Sequence, residues 1–213
     1  MNRRAMTNAH PRRKSKAALL PRAFLAALML SLSACGSSGT QADKPPLADA
    51  QVGGPFTLVD KNNKTVRWSD FDGRYRIVYF GYTYCPDACP TDMAVIGHAL
   101  EKLEKSHPAL TPRVVPIFIT VDPERDTPQI VGQFAAAFSP RVVGLTGPKA
   151  EIDKAAQEFA VYHDRGASTP GGGYLINHSR TVLLMGPRGE PIAILPADRG
   201  PDAMADEIVK WVK

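Results

Sequence analysis

Two cysteines, Cys85 and Cys89, stand together in the run Phe80-Gly81-Tyr82-Thr83-Tyr84-Cys85-Pro86-Asp87-Ala88-Cys89-Pro90. A thiolate is both a soft metal ligand and the nucleophile of disulfide exchange, so the pair can serve either chemistry. Pro86 disfavours helical backbone at Cys85, whereas Pro90 suits the first position of a helix and leaves Cys89 near its cap. The pair therefore straddles a predicted helix N-terminus, where partial positive charge and free N–H groups favour thiolate over thiol. The alternative is a structural disulfide, which would close so short a loop that it would constrain the unfolded chain little.

The elements that must position these thiols follow from hydrophobic patterning. Arg76-Ile77-Val78-Tyr79-Phe80 is a near-continuous apolar run bounded by Gly73 and Gly81, and reads as a strand buried on both faces; Val114 to Val121 reads as a second. Met93, Ile96, Leu100 and Leu103 recur at helical spacing, predicting a helix from Pro90 to about Lys105. Thr127-Pro128 opens another helix with Ile130, Phe134 and Phe138 on one face, and Ile152, Ala155, Ala156 and Phe159 mark a third. A short strand is expected at Val142 to Leu145 between them.

Upstream, Phe56-Thr57-Leu58-Val59 and Thr65-Val66-Arg67-Trp68 flank a polar turn and predict a hairpin. Downstream, Thr181 to Met185 and Ile192 to Leu195 form strands joined by Gly186-Pro187-Arg188-Gly189. A last helix from Pro201 buries Met204, Ile208 and Trp211. Strands alternating with helices, then a hairpin and a helix, give an α/β fold with a mixed central sheet and helices on both faces. That order is thioredoxin-like, with an extra N-terminal β-hairpin and a lengthened middle.

In such a topology His178, just before a strand, lies beside the cysteine loop. His98 and His107 fall on or just after the polar side of the first long helix and read as solvated, while His163 is a weaker metal candidate. Two thiolates and an imidazole suit Cu(I) in trigonal geometry, and an added oxygen ligand would hold Cu(II). Structural zinc wants four ligands, and no further cysteine follows Cys89. Asp122 and Asp126 close the second buried strand on the edge that bears the cysteines. Each could serve the site, through hydrogen bonds behind the ligands or as a carboxylate near the metal, or only form a turn and helix cap with Arg125. Asp122 is a weak site candidate, and Asp126 before Thr127-Pro128 is expected to cap a helix. The run Pro170-Gly171-Gly172-Gly173 reads either as a turn or as a mobile segment that carries His178 towards the thiols.

The cysteine run resembles the signature of the Sco/SenC family of copper-binding cytochrome oxidase assembly proteins. Val121-Asp122-Pro123-Glu124-Arg125-Asp126-Thr127-Pro128 and Asn177-His178-Ser179 agree with it, in order, over roughly Gly53 to Lys213. The resemblance implies copper bound by Cys85, Cys89 and His178, and a metallochaperone that passes it to the dinuclear copper centre of cytochrome c oxidase. The expected partners are the oxidase's copper-bearing subunit and a periplasmic copper donor or thiol reductant. The family often has Asp where this chain has Asn177.

The alternative is a thiol-disulfide oxidoreductase using Cys85 and Cys89 as its redox-active pair. The spacing is one residue wider than thioredoxin's C-x-x-C, and His178-Ser179-Arg180 occupies the stretch where such redox enzymes place a cis-proline. A peroxidase would want Thr-x-x-Cys, and Thr83 lies two residues before Cys85.

The chain opens with Arg3, Arg4, Arg12, Arg13, Lys14, Lys16 and Arg22, carries no acid before Asp43, and is almost unbrokenly apolar from Ala23 to Ala34. This predicts an export signal over residues 1–34. Twelve helical residues reach roughly 18 Å, short of the roughly 30 Å hydrocarbon core, so a permanent span is disfavoured. Leu32-Ser33-Ala34-Cys35 resembles a bacterial lipobox, which implies lipidation at Cys35, a membrane held through the N-terminal lipid, and a location on the periplasmic side. Ordinary cleavage near Ser33-Ala34 is the alternative. Removing the seven basic residues takes the formal net charge from +5 to −2, so no basic footprint for nucleic acid remains. Residues 35–51 read as a flexible tether, and 52–213 suit one domain.

Overall fold

The computed structural model describes residues 44–213; the expected leader and Cys35 lie outside the described residues. Five strands form the central sheet: β3 (Tyr75–Gly81), β4 (Val114–Thr120), β5 (Val143–Leu145), β8 (Val182–Met185) and β9 (Pro191–Leu195). Their order is β5-β4-β3-β8-β9, with β3, β4 and β5 parallel and β8 and β9 antiparallel. Every residue of β3 and β4 is buried, as their nearly continuous apolar runs predict, Arg76 included. The sheet is mixed and covered on both faces, as the alternation of patterns predicts.

Because side chains alternate along a strand, Tyr79 and Phe80 lead to different layers. Tyr79 faces Phe118, its register partner on β4, and Phe118 in turn packs on Phe134 with ring centroids 5.0 Å apart. That layer holds α1 (Ala88–Ser106) and α2 (Pro128–Phe138), with α4 (Gly200–Trp211) packed on α1. Phe80 packs instead on Phe159, which closes α3 (Lys149–Glu158) and joins Phe56 and Trp68. Phe56 and Trp68 flank the predicted hairpin of β1 (Thr57–Val59) and β2 (Thr65–Arg67), so the hairpin is a lid on the second layer.

Three features depart from expectation. Residues 163–178, called neither strand nor helix by pattern, form a separate antiparallel hairpin of β6 (His163–Ser168) and β7 (Tyr174–His178). Gly171 and Gly172, with φ of +96° and +86°, make its turn. The Gly-rich run is thus the closed end of a ladder that pairs His163 with His178. Second, Asp126 does not cap α2: Thr127 does, its hydroxyl accepting from the Ile130 N–H, and Asp126 is buried. Third, the end of the expected tether is docked, with Leu47 N–H donating to the Ile192 carbonyl and Leu47 packed on the core. No helix among the described residues is long and apolar enough to cross a membrane.

Candidate metal centre

The chain leaves β3 at Gly81, turns through Tyr82–Asp87 and enters α1 two residues earlier than Pro90 alone would indicate. Cys85 precedes the helix and Cys89 is its second residue, so the thiols do straddle the N-terminus. Gly81 permits this: a Cβ there would stand 3.0 Å from Cys89 Sγ and 3.0 Å from the Phe118 ring. His178 comes from the far end of β7 and sets its Nε2 3.2 Å from Cys89 Sγ. One donor atom from each of Cys85, Cys89 and His178 lies within 4.8 Å of the others, the one such His/Cys/Asp/Glu group found among the described residues. Both thiols are free.

The two cysteines differ sharply. Burial works against ionising Cys85, but the backbone N–H groups of Cys89, Asp87 and Ala88 converge on its sulfur and bring its pKa below the ordinary thiol value. The Cys89 amide donates to that sulfur at 3.4 Å. Cys89 itself is fully buried, and desolvation pushes its pKa up to about 12. We therefore expect iodoacetamide at neutral pH to alkylate Cys85 well before Cys89 in the reduced chain, with labelling at Cys85 persisting at pH values below an ordinary thiol's range. Peptide mass spectrometry reads the order, and equal labelling would contradict it.

Burial lowers the pKa of His178, so its imidazole is held neutral, the form that ligates. The ring stands edge-on to Tyr82 and Tyr79, with centroids 5.9 and 6.3 Å away, and Nδ1 lies 2.9 Å from its neighbour's carbonyl, Ser179 O. A neutral ring donating from Nδ1 to that carbonyl leaves Nε2 unprotonated towards the thiols.

Other sequence candidates fall elsewhere. His163, although opposite His178 in the ladder, turns its Nε2 to Asp153 at 3.4 Å. Asp122 pairs with Arg125 and accepts from the Tyr174 hydroxyl, fastening β7 to the end of β4, and is not one of the converging donors. Asn177 is exposed against Gly166 and, by alternation, on the opposite side of β7 from His178. His98 and His107 are exposed.

Two groups stand behind the site: Asp126, for which the sequence offered an outer hydrogen-bonding role beside the expected cap, and Asp92, which pattern reading missed. Asp126 accepts from the Thr83 N–H at 3.0 Å, the Thr83 hydroxyl at 2.6 Å and the Thr120 hydroxyl at 2.6 Å, holding the cysteine loop to β4. Asp92, buried on α1, accepts from the Tyr79 hydroxyl and from Arg180. The signal was present: Asp92 interrupts the apolar stripe of Cys89, Met93 and Ile96, and a charge on a buried face needs partners.

A thioredoxin-like sheet carrying two thiols at a helix N-terminus, with an imidazole on a separate hairpin brought against them, defines a protein built to hold a soft metal ion at a three-donor site. Comparison narrows the class: the SCO1/SenC family profile matches residues 44–213, and the chain belongs to that family. It is 35% identical over 182 residues to the mitochondrial protein SCO1 homolog 2 of Arabidopsis thaliana, covering 85% of this chain and 63% of that protein. It spans 46 to 63% of the lengths of three such relatives from Arabidopsis and human. Among solved structures it resembles Arabidopsis thaliana ScoI with copper bound, with TM-score 0.68 and 35% identity over 75% of this chain and 96% of that one. It also resembles BsSco, a member of the Sco family of cytochrome c oxidase assembly proteins with a disulfide switch. There the TM-score is 0.59 and the identity 25%, over 81% and 99% of the two chains.

Proposed function

We propose that this chain is a copper metallochaperone that delivers the ion to the dinuclear copper centre of cytochrome c oxidase during assembly. The observation that carries the reading is the convergence of Cys85, Cys89 and His178 within 4.8 Å. The donor set fits: two sulfurs and a neutral imidazole match Cu(I), and a three-donor site lacks the fourth ligand that structural zinc takes. The likeness to a Sco protein solved with copper bound supports it. Copper here is cargo. Cys85, half-buried at the rim, is the ligand that an incoming donor group meets first, whereas Cys89 is fully buried. Transfer then proceeds by stepwise exchange of ligands with the oxidase's copper-bearing subunit.

The second reading, a thiol-disulfide oxidoreductase, is favoured by the asymmetry of the thiols: a low-pKa, reachable Cys85 and a buried Cys89 suit attack followed by resolution. A strain carrying His178→Ala separates the two. A copper carrier needs the imidazole, so oxidase activity should fall about as far as in Cys85→Ala, with partial rescue by added copper. Normal oxidase activity in His178→Ala beside a clear defect in Cys85→Ala would assign the role to the thiols alone.

We further propose that the mature chain is lipid-anchored through Cys35 on the periplasmic side, where a periplasmic copper donor or thiol reductant can load or reduce it. Cys35→Ser should then move the protein from the membrane to the soluble fraction after export. Retention in the membrane with residues 1–34 still attached would mean that the leader itself is the anchor.

A further inference from the structure

His178 and the cysteines arrive on parts of the fold that the backbone does not tie together. Cys89 sits on α1 above the central sheet, while His178 ends a two-stranded sheet whose ladder pairs β7 only with β6. The chain enters the central ladder four residues later, at Val182. Whatever fixes the imidazole against the sulfurs across that gap must be side-chain contact.

One contact spans it directly. Arg180, two residues after His178, donates from Nε to Asp92 Oδ2 at 3.0 Å and from Nη2 to Asp92 Oδ1 at 2.7 Å. Asp92 lies three residues after Cys89, hence on the same side of α1, and is 1% exposed. Its Oδ2 also accepts from the Tyr79 hydroxyl at 2.8 Å, and the Tyr79 ring faces His178. We infer that Arg180 is a positioning residue for the metal site: its two-pronged grip on Asp92 fastens the His178 segment to the cysteine helix and sets the imidazole against Cys89.

The chemistry suits this task. A planar guanidinium meeting a carboxylate through two parallel bonds fixes orientation as well as distance, which a lysine ammonium cannot do. The Arg180 side chain is about half exposed, at 54%, but its partner is buried and anchored by Tyr79, so one end of the link is rigid. On the other side, Ser179 N–H donates to the Tyr162 carbonyl and Tyr162 N–H to the Ser179 hydroxyl, tying the same three residues to the start of β6. The segment 178–180 is thus held from both directions, and besides the His178–Cys89 contact itself the Arg180 arm is its link to the cysteine helix.

The inference rests on the three-ligand site proposed above, and the test reads the imidazole's position in the copper-free chain as well as copper binding. In the reduced full chain, ring-to-ring NOE cross-peaks from His178 to Tyr79 and Tyr82 should weaken severely in Arg180→Ala, while those between Tyr79 and Phe118 persist. Arg180→Lys should fall between. Affinity for Cu(I), from competition with a chromophoric chelator, should drop about 10- to 100-fold in Arg180→Ala at unchanged stoichiometry, the usual effect of removing an outer-shell partner. Cross-peaks at parental intensity in Arg180→Ala would overturn the inference. Should that variant not fold, Arg180→Lys decides alone, weakened peaks supporting and parental peaks overturning it. A parent chain that binds no Cu(I) would instead sink the metal-site reading, leaving the cross-peaks to judge the positioning role.

Discussion

His178→Ala lowers the affinity of the reduced full chain for Cu(I) by more than about 100-fold, a larger loss than the 10- to 100-fold typical when only an outer-shell partner is removed. The expectation follows from the donor count. With three converging ligands there is no spare in the group, and the buried carboxylates Asp92 and Asp122 are engaged elsewhere, Asp92 with Arg180 and Tyr79, Asp122 with Arg125 and Tyr174. The fold should survive, because the imidazole bonds only to Cys89 and to its neighbour's carbonyl and ends a two-stranded ribbon that pairs with no strand of the central sheet. Both thiols should remain titratable with Ellman's reagent. Parental affinity in a chelator competition, with the variant folded and both thiols reduced, would remove His178 from the site.

Asp126→Ala is the largest expected loss of stability among the residues behind the site, about 2–4 kcal/mol. Its carboxylate is fully buried and takes three hydrogen bonds, from the Thr83 amide and from the hydroxyls of Thr83 and Thr120. Alanine leaves those donors unpaired in the interior and frees the loop two residues before Cys85. Chemical denaturation measures the loss, and a change below about 0.5 kcal/mol, the usual range for surface substitutions, would refute the account.

The pH dependence has a defined sign. Burial raises the Asp126 pKa in the folded state despite the three donors. A folded pKa above the unfolded one means the native chain binds the proton more tightly. The associated stabilisation is full below the unfolded aspartate value and disappears as pH rises through the folded value. Relative to Asp126→Asn, which cannot titrate, the parent should therefore gain stability as pH falls across that window.

What could be read from the chain beforehand was whatever depends on local pattern. The buried runs of β3 and β4, the helical spacing of Met93, Ile96, Leu100 and Leu103, and the prolines around Cys85 and Cys89 each declare their element within a few residues. The convergence of the two thiols with His178 was legible because soft ligands are rare, their order suits a thioredoxin-like topology, and the motifs around them resemble the Sco/SenC signature. The β6–β7 hairpin was not, since His163-Asp164-Arg165-Gly166-Ala167-Ser168 has neither alternation nor β-branched residues, and its pairing is decided by a partner strand across a glycine turn. Asp126 was misread for a similar reason. Position before Thr127-Pro128 suggests a cap, but the carboxylate's destination depends on Thr83, forty-three residues earlier, and no local rule carries that information.

The hairpin that delivers His178 forms its own small sheet, half exposed along most of its length, while Cys89 is fully buried in the core and Cys85 stands at its rim. Two-stranded ribbons are the first parts of a protein to open, and the core need not follow. An ion bridging the two would couple their opening equilibria, so that hydrogen exchange in β6 and β7 slows to the pace of the core when cargo is aboard. For the copper carrier proposed above, peeling of the ribbon would withdraw His178 and free a coordination position for the recipient group that enters beside Cys85.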